Sequence, residues 1–230
     1  MTRFAAVVAA ALAAVLGGGC AGGGGGDGEA TLWVTRDQGR HVLLVERVPA
    51  GLTAMQALER KADVETRYGG RYVQAIEGIE GSLARRHDWF YFVNGIEADR
   101  SAAEYRLRAG DVEWWDYRDW GRYGQRVPVV VGAFPEPFVH GYDGKVRPTV
   151  VLGPRTPAVL RIARMVHARR IVSASQVSLL SGMNTLTIFS GGATRFSATV
   201  NGGSVHAVFR GDPRRLARDP SLYRYRYRVP

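Results

Sequence analysis

The sequence predicts an α+β protein built from two small units, and three observations carry that prediction. Asp88-Trp89-Phe90-Tyr91-Phe92-Val93 is a run of aromatic and β-branched residues closed by Asn94-Gly95, the dipeptide that best tolerates positive φ in a tight turn. Gly110-Asp111 opens a second such run, Val112-Glu113-Trp114-Trp115-Asp116-Tyr117, placed to lie beside the first. Apolar residues at helical spacing follow Thr53 and again follow Thr156, so each unit lays one helix on one sheet.

In chain order, Ala30 to Thr35 and His41 to Val48 are strand-type runs joined by Asp37-Gln38-Gly39, which reads as a hairpin. Thr53 with Gln56 has the form of a capping box, and Met55, Leu58 and Ala62 share one face of a helix from Thr53 to Ala62. After Gly69-Gly70, Tyr72 to Ile76 alternates as a strand, and Gly78 to His87 reads as a loop. Trp89 to Val93 is the central strand. Asp99 to Arg108 is an irregular connection anchored by Tyr105 and Leu107, and Val112 to Tyr117 closes the sheet. Two strands, a helix and further strands is the order of a β-grasp domain.

Beyond a polar bridge from Arg118 to Gln125, Val127 to Val131 is β-branched, while the two prolines of Phe134-Pro135-Glu136-Pro137-Phe138 rule out a central strand. Val146 to Leu152 reads as a short strand. Thr156-Pro157 caps a helix with Val159, Ile162, Ala163 and Val166 inward and Arg161, Arg164 and Arg169 outward. Strands are expected over Ile171 to Leu180, Leu186 to Phe189, Phe196 to Val200 and Val205 to Phe209, with Asn201-Gly202-Gly203 as a turn. The tail Tyr223 to Arg228 alternates tyrosine with arginine, as an edge strand does, or else is a disordered terminus.

The start of the chain speaks to compartment. Met1 to Arg3 is a short basic start, Phe4 to Leu16 is an apolar run too short to span a bilayer comfortably, and glycines and Cys20 follow; this is the form of an export signal over residues 1–19. Cys20 is the one cysteine, so no intramolecular disulfide forms. Its position resembles the lipidation site of a bacterial lipoprotein leader, with Leu16 four residues before it rather than three. Residues 20–29 then make a glycine-rich flexible tether. The expected location is the outer face of the cytoplasmic membrane, held by a lipid on Cys20, with a secreted form as the alternative. Folded units are expected over residues 30–120 and 126–230.

The formal charge is +10, almost all from scattered arginine, with no basic tract, zinc pattern or recognition helix beside it, so nucleic acid is not the expected partner. Enzyme signatures are missing as well. There is no Gly-x-Ser-x-Gly or Ser-x-x-Lys, the histidines are isolated rather than spaced for a metal, and the glycine run lacks a P-loop lysine. Asp111 and Glu113 are expected to share a strand face, as the paired acids of a glycosidase do, but carboxylates on a solvated strand edge are the commoner case. The expectation is a protein without catalysis, metal or cofactor.

Alternation sends adjacent Trp114 and Trp115 to opposite faces, so one of them cannot enter a core lying on one side only. An exposed ring beside Tyr117, Trp120 and Tyr123 would make a stacking platform. The segments Gly51 to Leu58, Gly69-Gly70, Ile76 to Ile79, Trp89 to Gly95 and Gly110 to Trp114 together resemble the transcobalamin-like C-terminal domain, over roughly Ala30 to Trp120. That resemblance implies the fold of this stretch. In animal cobalamin carriers the domain closes over the corrinoid against a larger helical domain, so it also implies cobalamin as a ligand to test.

Two functions follow. The first is a ligand-binding module for a corrinoid or another flat or sugar-like molecule, using Trp89, Tyr91, Asn94, Trp114, Trp115, Tyr117 and Trp120. The second is a structural or protein-interaction module of the cell envelope. The first requires exposed tryptophans around a pocket; the second requires buried tryptophans and a free strand edge.

Overall fold

A computed structural model describes residues 28–173 and 180–227, without the side chain of Tyr123. The predicted leader, Cys20 and all but the end of the tether lie outside the described residues.

The chain is α+β. β1 (Glu29–Arg36) and β2 (His41–Pro49) form the expected hairpin. Asp37, Gln38 and Gly39 all take positive φ in its turn. α1 (Ala54–Glu59) opens on a complete capping box: Gln56 N donates to Thr53 Oγ1 at 3.1 Å and Thr53 N donates to Gln56 Oε1 at 2.9 Å. The helix stops three residues short of Ala62. β3 (Val64–Arg67), β4 (Tyr72–Ile76) and β5 (Ile79–Glu80) make a small antiparallel sheet, of which only β4 is foreseen by alternation. β6 (His87–Val93), β7 (Ile96–Glu97) and β8 (Val112–Asp119) join the hairpin in a five-stranded sheet ordered β2-β1-β8-β6-β7, with β1 and β8 parallel at its centre. α2 (Trp120–Tyr123) follows, its first turn capped by Asp119.

The second half adds a mixed sheet. β9 (Thr149–Leu152) begins after Pro148 rather than at Val146, as a residue without an N–H at the strand start requires. α3 (Pro157–Met165) has the Thr156 cap and buries Val159, Ile162 and Ala163 as predicted. β10 (Arg170–Val172) pairs in parallel with β9. β11 (Asn184–Asn201) is one long strand where two short ones are expected. Its first part runs beside β9, and its second part returns along β12 (Ser204–Gly211) through the Asn201-Gly202-Gly203 turn. α4 (Pro213–Arg218), capped by Asp212, completes the regular elements.

Four apolar clusters occur among the described residues, a small one around Val150, Leu152 and Leu180 and three larger ones. Leu32, Val34, Leu58, Trp89 and Trp115 pack with α1 on one face of the five-stranded sheet. Val151, Ile162, Leu186, Phe196 and Phe209 pack the second half. The third lies on the other face of the first sheet, where Trp33, Phe92 and Trp114 meet Val130, Ala133 and Tyr227 from the second half.

The tail explains that third cluster. Residues 223–227 form no strand, but the tyrosine-arginine alternation survives: Tyr223 and Tyr227 are buried while Arg224 and Arg226 face water. Tyr225 stands edge-on to Trp33 at 4.7 Å, and its N–H donates to Gly132 O at 3.0 Å. Gly132 has no room for a side chain, since a Cβ there would lie 2.4 Å from Arg226 N and 2.8 Å from Trp114 Cη2.

Candidate functional site

Four of the seven predicted ligand residues come together. β6 and β8 pair with Trp89 opposite Tyr117 and Tyr91 opposite Trp115. All four project toward the α1 face. Tyr91 stacks on Trp115 at 4.8 Å between ring centres, and Trp89 meets Tyr117 at 5.3 Å. Cross-strand aromatic pairs of this kind stabilise a sheet by roughly 0.2–1 kcal/mol each. The small sheet lies across them: Trp89 Nε1 donates to Ile79 O at 2.8 Å and the Tyr117 hydroxyl donates to Glu80 O at 3.0 Å. Tyr91 donates to Arg100 O at 2.5 Å. Burial, with Tyr142 and Glu113 nearby, pushes the Tyr91 hydroxyl well above the ordinary tyrosine range.

Trp114 and Trp115 do occupy opposite faces, but neither is exposed. Trp115 is 3% exposed in the α1-side core, and Trp114 is fully covered by the tail cluster. The expectation of an exposed platform is therefore corrected. It assumed a core on one side only, whereas the second half of the chain supplies a core to the other side. Trp120, half-buried at the start of α2, shares no ring contact with the four stacked residues.

Asn94 serves the turn. At φ 52° it is buried, its Nδ2 donating to Asp111 Oδ1 and Gly141 O, both at 2.7 Å, while Val112 N donates to its Oδ1 at 2.8 Å. Every polar atom of the side chain is thus engaged inside the protein.

The carboxylates are also misplaced by the sequence reading. Asp111 and Glu113 are not on a solvated edge: both are buried, Glu113 within the central strand β8. Burial pushes the Asp111 carboxyl up, and raises Glu113 far above the usual carboxylate range. Glu113 accepts one bond, from Trp115 Nε1 at 2.6 Å, and its Oε2 has no partner. Asp116, on the opposite face, accepts from Thr35 Oγ1 at 2.5 Å, Gly39 N at 3.0 Å and Gln38 N at 3.1 Å, which ties the β1–β2 turn to β8. Thr35 Oγ1 in turn accepts from Trp114 Nε1 at 2.8 Å. Elsewhere His140 Nδ1 lies 2.6 Å from Glu136 Oε1. Among the described residues no group of three or more His, Cys, Asp or Glu side chains is gathered to hold a metal ion, and no helix is long and apolar enough to cross a membrane.

What the aromatic reading missed is the sheet edge. β7, at one end of the sheet, is covered: Ile96 bridges to Val129 and Glu97 N donates to Pro128 O at 3.2 Å. β2, at the other end, pairs among the described residues with β1 alone. Val42, Leu43 and Val45 on it are each more than a third exposed. A bulge opposite Val34/Thr35 interrupts the ladder near Leu43, leaving Leu44 to Val48 as the regular stretch of free edge. The available sequence signal is the apolar run Val42-Leu43-Leu44-Val45, which departs from strict alternation.

The fold and the edge define an α+β protein with a mixed five-stranded sheet open along one strand. Residues 51–119 match a family described as a domain of unknown function (DUF4430). No curated protein matches the chain. Among solved structures, haptocorrin in complex with Cbi is similar at 17% identity over 39% of this chain and 24% of haptocorrin, with a TM-score of 0.33. A provisionally assigned metal-binding protein from Ruminococcus gnavus is similar at 13% identity over 40% of this chain and 98% of its own length, with a TM-score of 0.31. The chain thus spans about a quarter of haptocorrin.

Proposed function

We propose that this chain is a non-catalytic binding protein of the cell envelope, which takes an extended polypeptide segment along the free edge of β2. The observation that carries the reading is the contrast between buried rings and an open edge: Trp89, Trp114 and Trp115 are core, while among the described residues the outer edge of β2 has no strand beside it and Val42, Leu43 and Val45 face water. Strand addition at such an edge gains affinity from main-chain hydrogen bonds and specificity from alternate side chains. The parallel β1–β8 pair with α1 after the hairpin supports a β-grasp description of the first unit. Export and a lipid on Cys20 rest on the leader sequence and place the edge where envelope proteins meet it.

A corrinoid or a flat, sugar-like molecule is the competing ligand. It would need open ring faces, and the four stacked residues turn theirs to each other and to the small sheet. The test is a display screen of extended peptides, followed by amide hydrogen exchange. Slowed exchange over Leu44 to Val48 with a bound peptide, lost in Val45→Pro, supports edge binding. Saturable quenching of tryptophan fluorescence by cobalamin, with no edge peptide recovered, replaces it by the ligand reading.

A further inference from the structure

Between Asp143 and Asp212 the sequence contains no aspartate or glutamate, yet it contains one lysine and eight arginines. The fold gathers half of those arginines. A cleft of about 590 Å³ at the C-terminal end of α3 is lined by Arg155, Arg164, Arg169 and Arg170 together with His167. No acidic residue lines it, and none of the four arginines has an ion-pair partner among the described residues.

Cations near a helix C-terminus have an ordinary explanation, because they complement the partial negative charge of the last carbonyls. That accounts for Arg164 and His167, which sit on the last turn of α3 or just beyond it. It does not account for Arg155, which reaches the cleft from the loop before the helix, or for Arg170, which reaches it from β10. Charges brought to one place from three successive parts of the chain repel each other unless an anion sits among them. The lining includes Leu160 and Ile171, so the cleft also offers apolar surface to whatever carries the negative charge. Its volume falls within the range of small-molecule sites, about 300–1,000 Å³.

We propose that this cleft binds a molecule bearing two or more phosphate groups. Guanidinium groups present planar forks that match phosphate oxygens bidentately, and several converging forks favour clustered phosphates over a single carboxylate. The site is remote in the sequence from β2 and does not depend on what the edge binds. A soluble polyphosphorylated compound and the headgroups of an anionic bilayer present the same chemistry, and competition separates them.

The probe is inorganic tripolyphosphate, titrated calorimetrically into the full chain at 0.15 M salt, and the site variant is Arg169→Gln/Arg170→Gln. Both side chains are exposed, so the fold tolerates the change. A control of equal charge loss, Arg60→Gln/Arg195→Gln, alters exposed arginines elsewhere. The expected result is one-to-one binding weakened at least tenfold in the site variant and less than threefold in the control. Vesicles of phosphatidylglycerol, spun down with the protein and challenged with tripolyphosphate, give the second arm. Capture that the site variant loses and tripolyphosphate reverses assigns the phosphates to lipid headgroups; no capture assigns them to a soluble ligand. Absence of tripolyphosphate binding, or equal weakening in the two double variants, overturns the proposal.

Discussion

Asp116→Asn tests whether a buried carboxylate on β8 is as poorly solvated as its surroundings indicate. Burial raises its pKa from 3.8 to about 6, against the opposing effect of the bonds from Thr35, Gly39 and Gln38. A carboxyl that holds its proton more tightly when folded contributes its full stability below the unfolded value of 3.8 and loses it as pH rises through about 6. A shift of that size corresponds to about 3 kcal/mol. Asparagine cannot ionise, so the variant lacks this dependence, while every other titrating group cancels in the comparison. Asparagine also replaces an acceptor by a donor near Gln38 and Gly39, which destabilises the variant by a pH-independent amount. The stability of the wild type minus that of Asp116→Asn should therefore fall by about 3 kcal/mol between pH 3.5 and pH 7. Urea denaturation followed by tryptophan fluorescence at pH 3.5, 5 and 7 measures it. A difference that stays flat, or grows with pH, would refute the reasoning, because it would mean that the ionised form is as well accommodated as the neutral one.

Gly132→Ala forces a methyl group between the tail and Trp114; the expected loss is about 1–3 kcal/mol, with a red shift of tryptophan emission as the tail lifts. Thr53→Ala removes the side-chain half of the α1 capping box and should cost about 1 kcal/mol, read as a lowered Tm, whereas Thr53→Ser should leave Tm nearly unchanged. Val45→Lys puts a charge on the exposed edge, where it should alter stability by no more than about 0.5 kcal/mol yet abolish binding of peptides selected on β2. A Val45→Lys protein that binds those peptides normally would move the docking site away from the edge.

Local chemistry made much of the scaffold legible. The Thr53-Gln56 box, the Asn94-Gly95 turn and the Thr156-Pro157 start each depend on residues within four positions, and each is found as read. Strands β3 and β5 escaped notice because a four-residue and a two-residue strand offer too little alternation. The site was less legible, and Trp114 shows why. That it lies on the face opposite Trp115 follows from period-two alternation, but its burial depends on Val130, Ala133 and Tyr227, whose return to that face is a long-range event with no local signature. The same holds for Glu113, where strand position was evident and solvent access was not; Asp111 lies just before β8 and is buried as well. Arg155 and Arg170 show the converse, since the absence of acids around them is visible in one dimension while their convergence on a cleft is visible only in three.

The way Tyr225 and Tyr227 close over Trp33 and Trp114 bears on the order in which this protein can become itself. Any process that feeds the chain forward, whether synthesis or passage through a membrane pore, delivers β1 long before its cover. Until then the early sheet presents an oily, tryptophan-bearing face to whatever surrounds it. Chaperone demand should therefore persist until Tyr225 and Tyr227 emerge, and fragments cut shortly before Tyr223 should be sticky even though most of the described secondary structure is already in hand.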